Sequence, residues 1–194
     1  MQAPITAALT DAHHMVRDTL LSQLKQHRSF DDIEADHLAR TIAFVERHDN
    51  CCDRQLTEGH ITASSWIIDE SASYALLTHH RKLDRWLQLG GHVEDDSDIL
   101  EAALREAREE SGLSDIHTVV NDIFDVDVHP IPARKSEPAH FHYDVRFLFQ
   151  ADRGDTLTIS DESHDLRWFS IAELQAMPAD DSIDRMVAKM LARK

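Results

Sequence analysis

The chain has 194 residues, which is enough for one sizeable domain with a single hydrophobic core. Its hydrophobic content of 42% excludes global disorder. Thirty-six acidic residues against 20 Lys and Arg give a formal net charge of -16, which disfavours duplex DNA, RNA and anionic membranes as partners.

The start of the chain and its cysteines indicate a cytoplasmic protein. The first residues lack the basic start and apolar run of a signal peptide, and no stretch is long and apolar enough to span a bilayer. Cys51 and Cys52 are adjacent, so they offer neither a disulfide framework nor a spaced thiol pair for zinc. We therefore expect free thiols in a reducing compartment.

Two helices are predicted in the first 50 residues. Apolar residues recur at helical spacing from about Ile5 to about Gln26, and a second apolar stripe follows a polar start at residues 29–32. We interpret 1–50 as an N-terminal helical extension and 51–194 as the main domain. The apolar stripe of the extension must be covered, and packing is favoured, with a homodimer interface as a second role and partial cover of the active site also open.

Strands and helices are mixed after residue 60. Two strands are predicted at 61–69 and 74–80, and a break at 88–91 leads to a helix from about Asp98 to Ser111, closed by Gly112. Further strands are predicted within 117–129, 141–151 and 165–170, and short helices from about Ile171 and about Asp181. This order of elements predicts an α/β or α+β sandwich.

Three glutamates share one face of the predicted helix at 98–111. Glu106, Glu109 and Glu110 stand at i, i+3 and i+4, away from the apolar face that can meet a core. On a generic helix a solvated acidic face would be the ordinary explanation. Here Gly90 and Gly91 precede the helix, and a tight turn can bring backbone carbonyls beside it. Oxygen ligands of this kind suit Mg²⁺ or Mn²⁺, the cations of diphosphate chemistry.

The segment that begins at Gly91 resembles the signature of the Nudix hydrolases. That signature is Gly, five residues, Glu, seven residues, then Arg-Glu-apolar-x-Glu-Glu-x-Gly-apolar. The closing run matches at Arg105, Glu106, Ala107, Glu109, Glu110, Gly112 and Leu113. Ser97 stands where the signature has a Glu that helps to hold the motif together, with the Arg as its partner in the family. We expect Arg105 to use Glu101, Glu109 or Asp96 instead.

The resemblance implies a fold and an activity. The fold is α/β, an α/β/α sandwich around a mixed sheet. Residues from about 60 to 190 have the family's order of strands and helices. The activity is metal-dependent cleavage of a diphosphate linkage in a small nucleoside-diphosphate-linked or nucleoside triphosphate substrate, with Mg²⁺ or Mn²⁺ as cofactor. It makes Glu106, Glu109, Glu110 and the carbonyl near Gly90 metal ligands. Glu109, Glu106 and Arg105 then form the catalytic group.

An acidic residue outside the signature is also expected. Family members often add a carboxylate from a loop, as a metal ligand or as the base that activates water, and in triphosphate-cleaving relatives it precedes a comparable Trp strand. Glu162 is the first choice here, with Asp161 and Asp165 behind it. A solvated acidic loop fits the same residues, because the whole chain is acidic.

Substrate contacts are predicted at two places. Arg81 and Lys82 form a basic patch before the signature and could meet a phosphate, although a solvated strand end fits equally well. His140 and His142 alternate along a predicted strand, so both could point to one side. Exposed polar positions are the ordinary explanation for these two histidines, substrate contact comes next, and a zinc site that includes the nearby His129 is the least favoured.

Two alternatives to hydrolysis remain open from the sequence. Isopentenyl-diphosphate isomerases share the Nudix-like fold and use a Cys and a Glu for proton transfer, which draws attention to Cys51 and Cys52. The cysteines precede the first core strand, however, and nearly the whole hydrolase signature is present. A non-catalytic domain that senses a nucleotide is the other alternative, kept open by Ser97 but disfavoured by the three intact glutamates.

Overall fold

The computed structural model describes residues 5–94, 96, 98–134, 138–177 and 181–193, with side chains from Met15 onward. The helices are α1 (Ile5–Gln26), α2 (Asp32–Arg47), α3 (Ile99–Ser111), α4 (Ile171–Ala176) and α5 (Asp181–Ala192). The strands are β1 (Gly59–Ile68), β2 (Tyr74–His80), β3 (Arg85–Leu87), β4 (Leu89–His92), β5 (Ile116–Thr118), β6 (Asp125–Ile131), β7 (His140–Ala151) and β8 (Ser163–Ser170).

The predicted helices are all present, and the strands differ in two places. The segment expected to be a break at 88–91 lies largely in β4, and β3 precedes it. Both strands are short and β4 contains two glycines, so neither has an alternating pattern that a sequence reading could detect. The single strand-like segment at 117–129 is divided between β5 and β6.

The eight strands form one mixed sheet with β1 near its centre. The order of hydrogen-bonded neighbouring strands is β3-β2-β1-β7-β5. In addition, β4 pairs with β1, β6 with β7 and β8 with β2. β1 and β7 are parallel, in register from Gly59 opposite Phe141 to Ile68 opposite Gln150, and the other pairs are antiparallel. Every residue of β1 is buried, as expected for a strand covered on both faces.

Helices cover both faces of the sheet. The odd-numbered side chains of β1, such as Ile61 and Ala63, join one core cluster with apolar residues of α1, α2 and α3. The even-numbered Trp66 and Ile68 join a second cluster with residues of α4 and α5. The result is the expected α/β/α sandwich around a mixed sheet, with the N-terminal helices packed in its first core. Among the described helices, none is both long and apolar enough to pass through a bilayer.

Helix α3 begins and ends where its capping residues predict. The carboxylate of Asp98 accepts a hydrogen bond from the Glu101 backbone N–H at 2.8 Å, which satisfies one of the free donors of the first turn. Gly112 ends the helix in the left-handed conformation with φ of 73°, and its N–H donates to the carbonyl of Arg108. Both ends of α3 are therefore set by its own capping residues.

Candidate functional site

Packing of α3 on the sheet decides how its three glutamates are presented. Ala102, Ala103 and Ala107 are fully buried in the core between α3 and the strands, so the helix lies close to the sheet. Glu110 is drawn inward and is only 6% exposed, whereas 60% of the Glu109 side chain is exposed. Glu106 lies between these extremes, with 15% of its side chain exposed. The three carboxylates thus run from the interior to the surface.

Two glycines of β4 provide the room for these carboxylates. The N–H of Gly90 donates to a carboxylate oxygen of Glu110 at 3.0 Å. A Cβ atom on Gly91 would lie 2.5 Å from the carboxylate carbon of Glu106, closer than van der Waals contact allows. Gly90 itself has φ of 157° and faces the Ser64 backbone, which also leaves no room for a side chain. Whether the Gly90 carbonyl binds metal remains a prediction.

Burial and mutual repulsion make two of the glutamates poor acids. Burial raises the pKa of Glu110 to about 8, and the negative charges of Glu106 and Glu162 add to this shift. The hydrogen bond from the Gly90 N–H acts in the opposite direction. Burial also raises the pKa of Glu106, although Arg105 opposes the shift. Ionising both carboxyls is costly unless a positive charge lies nearby, and a bound cation would supply that charge.

Arg105 is the positive partner of Glu106 and Glu109. Its guanidinium makes ion pairs with Asp96 and Glu106 at 2.9 Å and with Glu109 at 3.2 Å, and it donates to the carbonyl of His92 at 2.9 Å. Asp96 and Glu109 are two of the partners that the sequence predicts for it. Glu106 and the His92 carbonyl were not predicted. Ser97, where the signature has Glu, lies outside the described residues.

The turn before β8 brings Glu162 to the same site. Glu162 is exposed, and its charge acts on both Glu106 and Glu110. Its carbonyl accepts from the Arg81 N–H at 2.9 Å, and the Arg81 guanidinium donates to the Ser163 carbonyl at 3.0 Å. Arg81 therefore holds the end of β2 against this turn. Lys82 is exposed next to it.

The structure reveals buried polar residues on the even-numbered face of the sheet that sequence reasoning missed. Asp144 accepts hydrogen bonds from Thr62, Ser64 and Gln88 and forms an ion pair with Arg146 at 2.8 Å. The strand residues 140, 142, 144 and 146 are all polar and alternate with apolar ones. That alternation was available in the sequence, but only the parallel pairing of β7 with β1 shows that Asp144 and Arg146 are buried.

His140 and His142 belong to this same face and lie together with a third histidine. One ring nitrogen from each of these two residues and one from His60 lie within 4.8 Å of one another. His60 was not singled out in the sequence, because it stands on a strand distant in the chain. The two cysteines lie elsewhere: Cys51 is 1% exposed in the core with the N-terminal helices, and its sulfur is 4.0 Å from that of Cys52.

Two solved structures share this fold. The dihydroneopterin triphosphate pyrophosphohydrolase of E. coli has a TM-score of 0.52 and 14% identity, over 69% of this chain and 96% of that chain. The Ap4A hydrolase of C. elegans has a TM-score of 0.51 and 18% identity, over 68% of this chain and 96% of that chain. At these identities the likeness concerns the fold alone.

A curated relative and a family model extend the comparison to the sequence. The NAD-capped RNA hydrolase NudC of Stutzerimonas stutzeri (strain A1501) is 32% identical over 109 residues, which is 55% of this chain and 35% of the relative. The chain thus spans about a third of that relative's length. The NUDIX domain model matches residues 59–190, from the start of β1 into α5, and so confirms the resemblance. The chain therefore belongs to the NUDIX domain family.

Proposed function

We propose that the chain hydrolyses the diphosphate linkage of a small nucleotide-like compound with the help of a divalent cation, Mg²⁺ or Mn²⁺. The observation that carries the proposal is the carboxylate cluster of Glu106, Glu109, Glu110 and Glu162 beside the two glycines of β4. A nucleoside-diphosphate-linked compound or a nucleoside triphosphate presents the diphosphate that such a site would act on.

The residues present fit a cation with oxygen ligands. Their donor atoms are carboxylate oxygens, with the Gly90 carbonyl as a further candidate, and this set suits Mg²⁺ or Mn²⁺ better than a softer metal. The raised pKa of Glu110 supports the fit, because a bound cation would favour the charged form that burial and the neighbouring acids disfavour. When bound, the cation would offset the charge of the phosphate oxygens and make water more acidic.

The residues of the chain divide the remaining work. Arg105 positions Glu106 and Glu109, and the Gly90 N–H positions Glu110. Glu162, which is exposed and close enough to act on Glu106 and Glu110, is our choice for the base that accepts a proton from the attacking water. The water oxygen bonds to phosphorus, and the bridging oxygen leaves with the other phosphate group. Arg81 and Lys82, at the edge of the same turn, are proposed to meet the phosphate groups.

The test is turnover of a panel of diphosphate compounds with Mg²⁺ and with Mn²⁺. On a substrate that the parent cleaves, we expect Glu109→Gln and Glu110→Gln to lower kcat by about 100-fold or more, because each removes a charge that catalysis requires. EDTA should abolish turnover. Glu101→Gln is the matched control, since Glu101 is an exposed glutamate on the same helix and should leave turnover unchanged. Equal turnover of the parent and both folded variants would contradict the assignment.

The role of Glu162 needs its own measurement. Glu162→Gln should lower kcat at saturating Mg²⁺ and change the dependence of the rate on pH, because a general base titrates in the rate profile. Asp161→Asn serves as the control, since Asp161 is the exposed neighbour in the same turn. A Glu162 variant with the parent's rate and profile would leave Glu162 as surface charge and move the base to Glu109 or Glu106.

The size of the substrate is the next question. A net charge of -16 favours a small substrate over a polyanion, whereas similarity to an NAD-capped RNA hydrolase brings NAD and a capped RNA into the panel. We propose the small compound, and faster turnover of the capped RNA than of free NAD would overturn that choice.

An isomerase is disfavoured because Cys51 is a core residue beside the N-terminal helices. Binding of nucleotides without any turnover would favour a nucleotide-sensing domain.

A further inference from the structure

Five histidines gather at one end of the sheet, on the face opposite α3. His60 on β1 stands opposite His142 on β7, which in turn stands opposite His129 on β6. His140 precedes His142 by two residues and so points to the same side. His92 on β4 joins them, with its ring centre 5.0 Å from that of His60 and 5.7 Å from that of His142.

Three of these side chains have the spacing of a metal site. Nitrogen atoms of His60, His140 and His142 lie within 4.8 Å of one another. Zinc binds imidazole nitrogen at about 2.0–2.1 Å with tetrahedral geometry, so bound nitrogens lie about 3.3 Å apart. His140 is only half-buried, which leaves its side chain room for the small shift that would close the remaining gap.

The most buried of the three has no other partner for its ring. His60 is 2% exposed, and neither of its ring nitrogens has a hydrogen-bond partner. A buried polar group in this state is rare in proteins and calls for an explanation. Burial, to which the nearby histidines add, lowers the pKa of His60 to about 4 and that of His142 to about 2. Both rings are therefore neutral near pH 7, which is the form that binds metal.

His140 is already arranged as a ligand. Its Nδ1 lies 2.9 Å from the Pro138 carbonyl, which can only accept, so Nδ1 carries the proton. The other nitrogen, Nε2, is then free of a proton and can bind a cation. In metal-binding histidines, the N–H of the second ring nitrogen commonly donates a hydrogen bond to a backbone carbonyl in this way.

We propose that His60, His140 and His142 form a zinc site, with His92 or water as the fourth ligand. Imidazole ligands suit Zn²⁺ and related transition metals, whereas the carboxylates beside α3 suit Mg²⁺. The two sites lie on opposite faces of the sheet, since Gly91 faces Glu106 and the next residue, His92, faces His60. In this assignment His140 and His142 are ligands rather than substrate contacts. The proposal does not depend on the hydrolase activity.

The experiment is a zinc titration of the full chain after removal of metals by a chelator. Excess Mg²⁺ is present to occupy the carboxylates, and a chromophoric chelator competes for Zn²⁺. We expect one equivalent of Zn²⁺ to bind, and His140→Gln to bind it about 100-fold more weakly or worse, because loss of a direct ligand should cost at least as much as loss of its supporting partner. Co²⁺ in place of Zn²⁺ should give the strong visible absorption of a tetrahedral nitrogen-bound ion.

Two variants control the titration. His117→Gln changes an exposed histidine that is paired with Asp115, and it should bind zinc as the parent does. Zinc should also raise Tm in the parent and in His117→Gln but not in His140→Gln. His140 is half-buried, so its variant should fold even where His60→Ala does not. The proposal is overturned if the parent binds no zinc under excess Mg²⁺, or if His140→Gln and His117→Gln bind it equally.

Discussion

At the scale of single residues, Glu110 stands out because its environment opposes its charge. It is buried, its partner for hydrogen bonding is the Gly90 N–H, and three other acids act on it. Its pKa is about 8 in the folded protein against 4.5 when unperturbed. Well below pH 4.5 the carboxyl is protonated in both the folded and the unfolded chain, and it then contributes no pH dependence.

The sign of the effect on stability follows from these two pKa values. As pH rises from about 4.5 to about 8, the unfolded chain loses the Glu110 proton while the folded protein keeps it. The free energy of unfolding therefore falls, by up to about 1.4 kcal/mol per pH unit. We expect Glu110→Gln, measured by urea unfolding in EDTA, to gain stability relative to the parent between about pH 5 and about pH 8. A constant difference between parent and variant across this range would contradict the prediction.

Arg105 provides a second prediction at this scale. Its planar guanidinium contacts Asp96, Glu106, Glu109 and the His92 carbonyl together, which a single ammonium group cannot do. Arg105→Lys should therefore lower kcat by about 10-fold or more with little change in Tm, because Glu106 and Glu109 lose their fixed positions. Arg108→Lys is the control, since Arg108 is exposed on the same helix. The measurement is steady-state kinetics of both variants. The positioning role would be refuted if Arg105→Lys kept the parent's kcat, or if the two variants lost kcat equally.

At the scale of elements, the site depends on the close approach of α3 to β4. The carboxylate of Glu106 occupies the space where a side chain at residue 91 would be. Gly91→Ala should displace that carboxylate and lower kcat by about 10-fold or more, because a shift of about 1 Å in a catalytic group is costly. The Tm of the Gly91→Ala variant should stay close to that of the parent. Gly154→Ala, in the exposed turn after β7, should leave the rate unchanged, and a similar rate for both variants would show that the contact is dispensable.

At the scale of the whole molecule, the N-terminal helices share a core and a charged network with the rest of the chain. Burial alone would raise the pKa of Glu34 on α2, but hydrogen bonds from His27 and Lys189 lower it to about 2. The Lys189 ammonium on α5 also contacts Asp125 at 2.7 Å. Charges buried in this way are stable only as a complete set, so α1 and α2 are tied to α5 and β6.

The prediction for the whole molecule concerns this shared core. Leu24→Ala removes a fully buried side chain of α1 and should lower the free energy of unfolding by about 2–5 kcal/mol. Met15→Ala on the same helix changes a side chain that is 72% exposed and should have an effect within about 0.5 kcal/mol. Equal stability of the two variants in urea unfolding would show that α1 is not integral. A chain that begins near Cys51 should likewise aggregate or unfold, because its core would be uncovered.

The sequence by itself determined the two ends of α3 and the face that its three glutamates share. Local rules were enough for this: the Asp98 cap, the Gly112 stop and the spacing of Glu106, Glu109 and Glu110 depend on residues within a few positions of one another. The same spacing and the flanking glycines carried the resemblance to the family, which the family model confirms.

Only the tertiary structure decided which distant residues meet and how deeply each is buried. The parallel pairing of β1 with β7 places His60 beside His142, 82 positions apart, and buries Asp144 under Thr62. Packing of α3 on β4 separates the buried Glu110 from the exposed Glu109, although a helical wheel places both on the face shared with Glu106. Burial and long-range proximity set pKa and metal-binding geometry, and both arise from how the sheet is assembled rather than from spacing along the chain.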